Sequence, residues 1–272
     1  MRGNVAALRE GLGLLRRHGR IILEMARGDL TGRYKGQWFG SAWVIIHPLA
    51  LTLLHLFLFG VVFAQRVGGT REMPLDYTAY MLAGIIPWLT FQTSMTTSVL
   101  SISGNATLVK QFLFPVEVLP IRDVVSSTVT WFVGVSATLV YVMLSQKLAM
   151  MTWLLLPVVF AVQMAAMIGV ALALSAIAVF FRDIRDLIGL FCMVAMFLMP
   201  IVYLPGWVPA AFRPILWMNP FTYMIWVYQD VIYFGRFEHP WAWVVFLGWS
   251  IVAFIGGFRL FSTTKPLFAS LV

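Results

Sequence analysis

An all-α membrane protein is the fold class this sequence predicts, with six transmembrane helices behind an N-terminal amphipathic interfacial helix. Three observations carry that reading. Hydrophobic residues make up 61% of the 272 and charged residues 11%, against about 25% charged in a soluble domain. Charge-free runs of 20 residues or more recur six times, at 36–65, 77–109, 124–146, 148–181, 187–212 and 239–258, and about 20 apolar residues cross the hydrocarbon as a helix. The basic residues are shared unequally between the loops. With six spans, 14 of the 19 lysines and arginines fall on the side of the termini and five (Arg66, Arg71, Lys147, Arg213, Arg236) on the other. The positive-inside rule then puts both termini in the cytoplasm. A net charge of +8 reads as topology, not as a nucleic-acid surface. The length leaves no room for a separate catalytic domain.

Residues 4–27 are the first element. Val5, Leu8, Leu12 and Leu15 recur at helical spacing, with Arg9, Arg16, Arg17 and Arg20 around them. Such a helix lies along the membrane interface or on a soluble partner. No small-residue cleavage site follows, so a cleavable signal is not expected. Residues 27–50, RGDLTGRYKGQWFGSAWVIIHPLA, then take a polar segment into the first span. Asp29 or Thr31 is placed to cap a helix start. Gly32, Gly36 and Gly40 are spaced to give a helix one small face. Trp38 and Trp43 sit where an interfacial aromatic belt lies.

The spans follow, expected at about 38–64, 77–101, 123–145, 152–181, 187–204 and 241–261, because a charge at a span centre costs about 2.5–3.5 kcal/mol. They divide the chain into an interface helix (1–35), a six-span region (36–262) and a cytoplasmic tail (263–272). A further apolar run, 214–229, is interrupted by Pro214, Asn219 and Pro220 and reads as re-entrant or interfacial.

Three loops stand out. In 104–122, Leu108, Phe112 and Leu113 give a short apolar face, and Pro115 and Pro120 limit helix length. It suits a plug into a groove on a partner, or a segment hugging the membrane. The turn 180–186, FFRDIRD, places two basic and two acidic residues between long spans. The external stretch 205–240 is aromatic and repeatedly broken by proline.

The sequence holds no phosphate-cradling G-x-x-x-x-G-K-[ST] loop and no G-x-S-x-G or H-E-x-x-H pattern. His47 and His55 are about 12 Å apart along a helix, too far to share one metal. They hydrogen-bond within the bundle or relay protons. Cys192 is the only cysteine, so no intrachain disulfide forms. Asp230, Glu238 and His239 are the one external group of acid–base side chains. The expected spans carry no ionised side chain at their centres, which argues against an ion-coupled carrier and for energy supplied from outside the chain. Trp43, Phe57, Trp88, Phe91, Phe197 and Tyr203 are candidates to line a path for a substrate that stacks on ring faces, or are packing residues.

Four phrases in order make the chain resemble the permease subunits of ABC-2 type polysaccharide exporters, which move O-antigen, capsule or teichoic acid chains. Asp29, Arg33, Tyr34, Gly40 and Trp43 match the family's N-terminal signature. Gly28 departs where a basic residue is usual, and Phe39 where leucine is. Phe114-Pro115 with Pro120, Phe181-Arg182-Asp183 before Pro200-Ile201-Val202-Tyr203, and Asn219-Pro220 with Asp230 complete the set, while Gln229 stands in place of the usual arginine. The resemblance implies a homodimer of permeases with two ATP-binding cassette subunits in the bacterial inner membrane. This chain would bind no cofactor, with ATP and Mg at the partner, and would translocate a lipid-linked polysaccharide. It further implies a gate at Arg27, Asp29, Arg33, Tyr34 and Lys35, and ATPase coupling through Phe112, Phe114, Pro115, Glu117, Arg182 and Asp183. An external gate of re-entrant helices would include Trp207, Trp217, Asn219, Tyr223 and Asp230. A small-lipid or drug exporter of the same fold, or a membrane enzyme acting on lipid-linked sugars, is the alternative.

Overall fold

The computed structural model describes residues 2–62, 74–111, 114–147 and 149–271. Among these the secondary structure is helical, without strands. The helices are α1 (Arg2–Gly32), α2 (Trp43–Phe57, continued by a π turn at Leu58–Val62), α3 (Tyr77–Ser98), α4 (Ala106–Val109), α5 (Val118–Gln146), α6 (Leu156–Phe180), α7 (Ile184–Ala195), α8 (Arg213–Met218), α9 (Pro220–Gln229), α10 (Pro240–Thr264) and α11 (Phe268–Leu271). Among the described residues, four continuous helical stretches are long and apolar enough to cross a membrane: Gly40–Val62, Val118–Ser145, Met151–Phe180 and Pro240–Leu271.

The second expected span, 77–101, falls on α3, which is not one of these four: its 22 residues have the length but end in the polar run Gln92–Ser98. From Tyr77 to Trp88 every residue of α3 is buried inside the protein. A helix jacketed by other helices need not present the apolar surface that lipid demands.

The fifth expected span, 187–204, is not a continuous helix. Helix α7 ends at Ala195, a 3-10 turn follows at Met196–Leu198, and Met199 is extended at φ −127°, ψ 152°. The cause is Pro200, whose ring pushes the preceding residue out of the helical region. The twelve residues of α7 span only about 18 Å. The carbonyls freed by the break are satisfied from buried neighbours. Tyr80 Oη donates to Pro200 O at 3.1 Å, Gln229 Nε2 to the same oxygen at 2.9 Å, and Tyr77 Oη to Val202 O at 2.5 Å. Broken helix at membrane depth is tolerable on that condition.

The N-terminal expectations also change. Helix α1 runs four residues past Gly28, so neither Asp29 nor Thr31 caps a start. Asp29 instead accepts from Arg33 at 2.7 Å, one turn on, and Thr31 Oγ1 donates back to Arg27 O at 2.9 Å. The expected small face of Gly32, Gly36 and Gly40 does not form. Gly32 closes α1, while Gly36 (φ 82°) and Gly40 (φ 48°) take left-handed turn conformations, and no atom lies within 4 Å of where their Cβ atoms would be. At the start of α5, Pro120 falls within the first turn, where its missing N–H has no intrahelical role, so the helix begins at Val118, five residues before the expected span.

Two contacts show how the helices pack. Helices α6 and α10 cross at Gly169 and Gly257, backbone on backbone: a Cβ on Gly257 would lie 1.8 Å from Gly169 O. Helix α1 lays Ile22 and Ala26, both buried, on α5. The side chains of Val5, Leu8, Arg9, Leu12 and Leu15 lie outside those described.

Candidate functional site

The predicted gate residues gather where α1 gives way to α2. Arg33 and Tyr34, with His47 of α2, Thr93 and Thr97 of α3 and Asp123 of α5, line a cavity of about 270 Å³. The reason for its polarity is local. Threonines on α3 return their hydroxyls to their own helix, Thr93 to Leu89 O at 2.8 Å and Thr97 to Thr93 O at 2.9 Å, and so present oxygen atoms without unsatisfied donors. Asp123 is buried and is held by Arg122 Nη2 at 3.0 Å. Arg27 and Lys35 are exposed near by and are absent from the cavity wall. Sequence reading missed the α3 and α5 contribution; its signal is the small polar run TSMTTS at 93–98 inside an apolar stretch.

The 104–122 loop folds as a 3-10 turn (Ser103–Asn105) and the single turn α4. Phe114 and Pro115 are half-buried and Glu117 is buried; Phe112 lies outside the described residues. Arg182 and Asp183 are exposed on the tight turn between α6 and α7 and form no ion pair among the described residues. The turn and loop are neighbours all the same. Arg182 and Arg185 share a cleft of about 440 Å³ with Ser103, Ala106 and Leu271.

The 205–240 stretch places its aromatics together. Trp217 stacks on Trp241 at 5.0 Å and 19°, and Tyr223 and Trp226 meet the same ring edge-on. Trp207 stacks on Tyr77 at 6.4 Å. Asn219 caps α9, its side-chain oxygen accepting from Phe221 N at 3.0 Å while its amide donates to Leu198 O at 3.3 Å. Tyr223 Oη donates to Trp217 O. Asp230 is 1% exposed and accepts three hydrogen bonds: from His239 N at 3.1 Å, Trp243 Nε1 at 3.0 Å and His239 Nδ1 at 2.9 Å. His239 also lies flat on Trp226, 5.0 Å away. Glu238 stands apart, pairing with Arg236 at 2.7 Å on the surface. The Asp230 carboxylate thus ties the end of α9 to the start of α10. Its oxygens are taken up by the fold.

The six candidate path-lining aromatics divide. Phe57 and Phe197 are exposed on the single chain, Trp43 and Tyr203 half-buried. Trp88 and Phe91 are wholly buried, each edge-on to Phe221 at 5.3 and 5.0 Å. A second buried group was not foreseen: Trp131 Nε1 donates to Tyr228 Oη at 2.8 Å, Tyr228 to Gln163 Oε1 at 2.5 Å, and Gln163 Nε2 to Pro87 O at 3.0 Å.

Against known proteins, the model of the ABC-2 type transporter family matches residues 25–233. The chain belongs to the ABC-2 type transporters. The match runs from the last turns of α1 into the π turn at Asp230–Phe234, so it takes in the polar cavity, the 104–122 loop and the aromatics from Trp207 to Tyr228, and leaves all of α10 and the tail outside. Membership makes this ABC-2 chain a membrane component of a transporter. It is 25% identical over 253 residues to an O-antigen export system permease protein, RfbA, of Klebsiella pneumoniae, covering 93% of this chain and 95% of that protein. The namesake of Myxococcus xanthus is 24% identical over 251 residues, 92% and 94% of the two chains.

Proposed function

We propose that this chain is the membrane-spanning subunit of an ATP-driven exporter that carries a lipid-linked polysaccharide, O-antigen foremost, across the bacterial inner membrane. The observation that carries the reading is end-to-end likeness: RfbA of Klebsiella pneumoniae, named an O-antigen export permease, aligns over 93% of this chain and 95% of its own length. Two copies pair with two ATP-binding cassette subunits, which hold ATP and Mg. Both termini face the cytoplasm, as the 14-to-5 division of basic residues favours. The chain crosses six times, α3 and the broken α7 element adding to the four long apolar stretches, with α8 and α9 re-entrant from outside.

In this reading Arg27 to Lys35 and the hydroxyl-lined cavity admit the polar head of the substrate from the cytoplasmic leaflet. Residues 104–122 and the Arg182 turn take up the motion of the ATPase. The Trp217–Trp241 cluster and Asp230 close the outer mouth. Ring faces suit a path for sugars of varied identity, because stacking reads shape and not a hydroxyl pattern.

Co-expression tests it. The chain is placed with candidate ATP-binding cassette subunits in cells that assemble lipid-linked glycan but lack its export, and surface polymer is labelled with a lectin or antibody. Polymer at the surface only when both subunits are present supports the proposal. Export of small lipids or dyes by the pair, with no surface polymer, would replace it.

A further inference from the structure

The tail beyond α10 packs back onto the 104–122 loop. Lys265 Nζ lies 2.6 Å from Glu117 Oε1, across 148 residues of sequence. The Glu117 side chain is 11% exposed and its second oxygen is buried with no hydrogen-bond partner among the described residues. Lys265 is therefore the counter-charge that makes this buried carboxylate tolerable. Phe268, 1% exposed, sits three residues on, edge-on to Phe261 at 5.2 Å. Helix α11 continues against α4 and α6. Leu271 reaches the cleft shared by Ser103, Ala106 and Arg182.

Among the described residues the loop itself is held by little else that is polar. Its backbone bonds among them are short-range: Gly104 N to Leu100 O, Lys110 N to Ala106 O, Phe114 N to Gln111 O, Val118 N to Pro115 O. Asn105 bonds Ser101 O. None of these fixes the loop against the rest of the bundle. The Lys265–Glu117 pair does, at the loop's last residue before α5.

We propose that residues 265–271 form a strap that fixes the pose of the 104–122 loop for its ATPase, with Lys265 as the positioning residue acting through Glu117. This rests on the loop's coupling role given above. An unpinned loop can still touch a partner, but it yields under load instead of transmitting it.

The test compares Lys265→Glu, Glu117→Lys, Lys265→Arg and the exchanged pair E117K/K265E, each co-expressed with the ATPase subunit. ATPase retained on the purified permease is measured, together with the ATP hydrolysis of the complex. Phe114→Ala is run beside them, and each permease is checked by its melting temperature. Each single reversal is expected to lower retained ATPase by about fivefold or more, as coupling between contacting charges allows. The exchanged pair is expected to recover most of it, and Lys265→Arg to match wild type. Wild-type retention in both reversals, or an exchanged pair no better than the singles, overturns the strap. Should Phe114→Ala bind and drive the ATPase normally, the loop's coupling role falls and the strap falls with it. Loss in Phe114→Ala with no change in the Lys265 variants removes the strap alone. If a reversal does not fold, recovery of folding and binding in the exchanged pair still decides the matter.

Discussion

Replacing Gly257 with alanine puts one methyl group into the tightest crossing of the bundle. The added carbon would stand 1.8 Å from Gly169 O and 2.6 Å from Gly169 C, where ordinary contact begins near 3.4 Å. The obstacle is backbone on a helix and cannot rotate aside, so α6 and α10 must part by about 1.6 Å locally, the difference between 3.4 and 1.8 Å. Overpacking of this kind costs about 1–3 kcal/mol, and the rigid neighbour places it at the upper end. The gain in helix propensity from glycine to alanine, about 1 kcal/mol, offsets only part. Gly256 is the control. It is the preceding residue on the same helix and has nothing within 4 Å of a Cβ, so its alanine variant keeps the propensity gain without the clash. The two variants should differ by about 3 kcal/mol. Thermal scans of detergent-purified protein, read by size-exclusion fluorescence, should show Gly257→Ala melting at least about 5 °C below Gly256→Ala. Equal melting temperatures would refute a backbone-to-backbone crossing.

Tyr228→Phe removes one hydroxyl and orphans two buried partners, Trp131 Nε1 and Gln163 Oε1, which should cost about 2–4 kcal/mol; a melting temperature within a degree of wild type would contradict the network. Asp230→Ala leaves His239 N and Trp243 Nε1 without their acceptor and should lower stability by about 2–3 kcal/mol, whereas Glu238→Ala, at an exposed pair, should be silent in melting and export alike; loss of function with intact folding in Glu238→Ala would revive an enzyme. Arg33→Ala breaks a partly exposed pair with Asp29 worth at most about 1 kcal/mol, so it should fold normally while surface polymer drops severalfold in the co-expression assay; unchanged export would remove Arg33 from the gate.

Spans with lipid-facing apolar surface were legible because hydrocarbon imposes length and composition on each. Their limits agree within a few residues for α6 and α10. Helix α7 was not, because a charge-free run cannot distinguish a continuous helix from one broken by Pro200 and repaired by Tyr77, Tyr80 and Gln229 from distant parts of the chain. Residues 27–35 were legible as a polar stretch leading into a span, but their local form was not. Gly36 and Gly40 have helical spacing and yet occupy turns, since spacing says nothing of the sign of φ. Asp230 and His239 resembled acid–base groups in sequence, at a spacing that fits no known site. In space both side chains anchor α9 to α10. The Lys265–Glu117 pair, with 148 residues between its members, had no local signal.

The account turns on work being supplied from outside a bundle with few charges. The measurement closest to that is translocation in sealed vesicles, with the purified chain alone or with its ATPase subunit, scoring lipid-linked glycan that becomes protected inside. Protection should require both subunits and ATP, and disappear with a catalytically dead ATPase. Glycan protected by the chain alone, without nucleotide, would contradict the account.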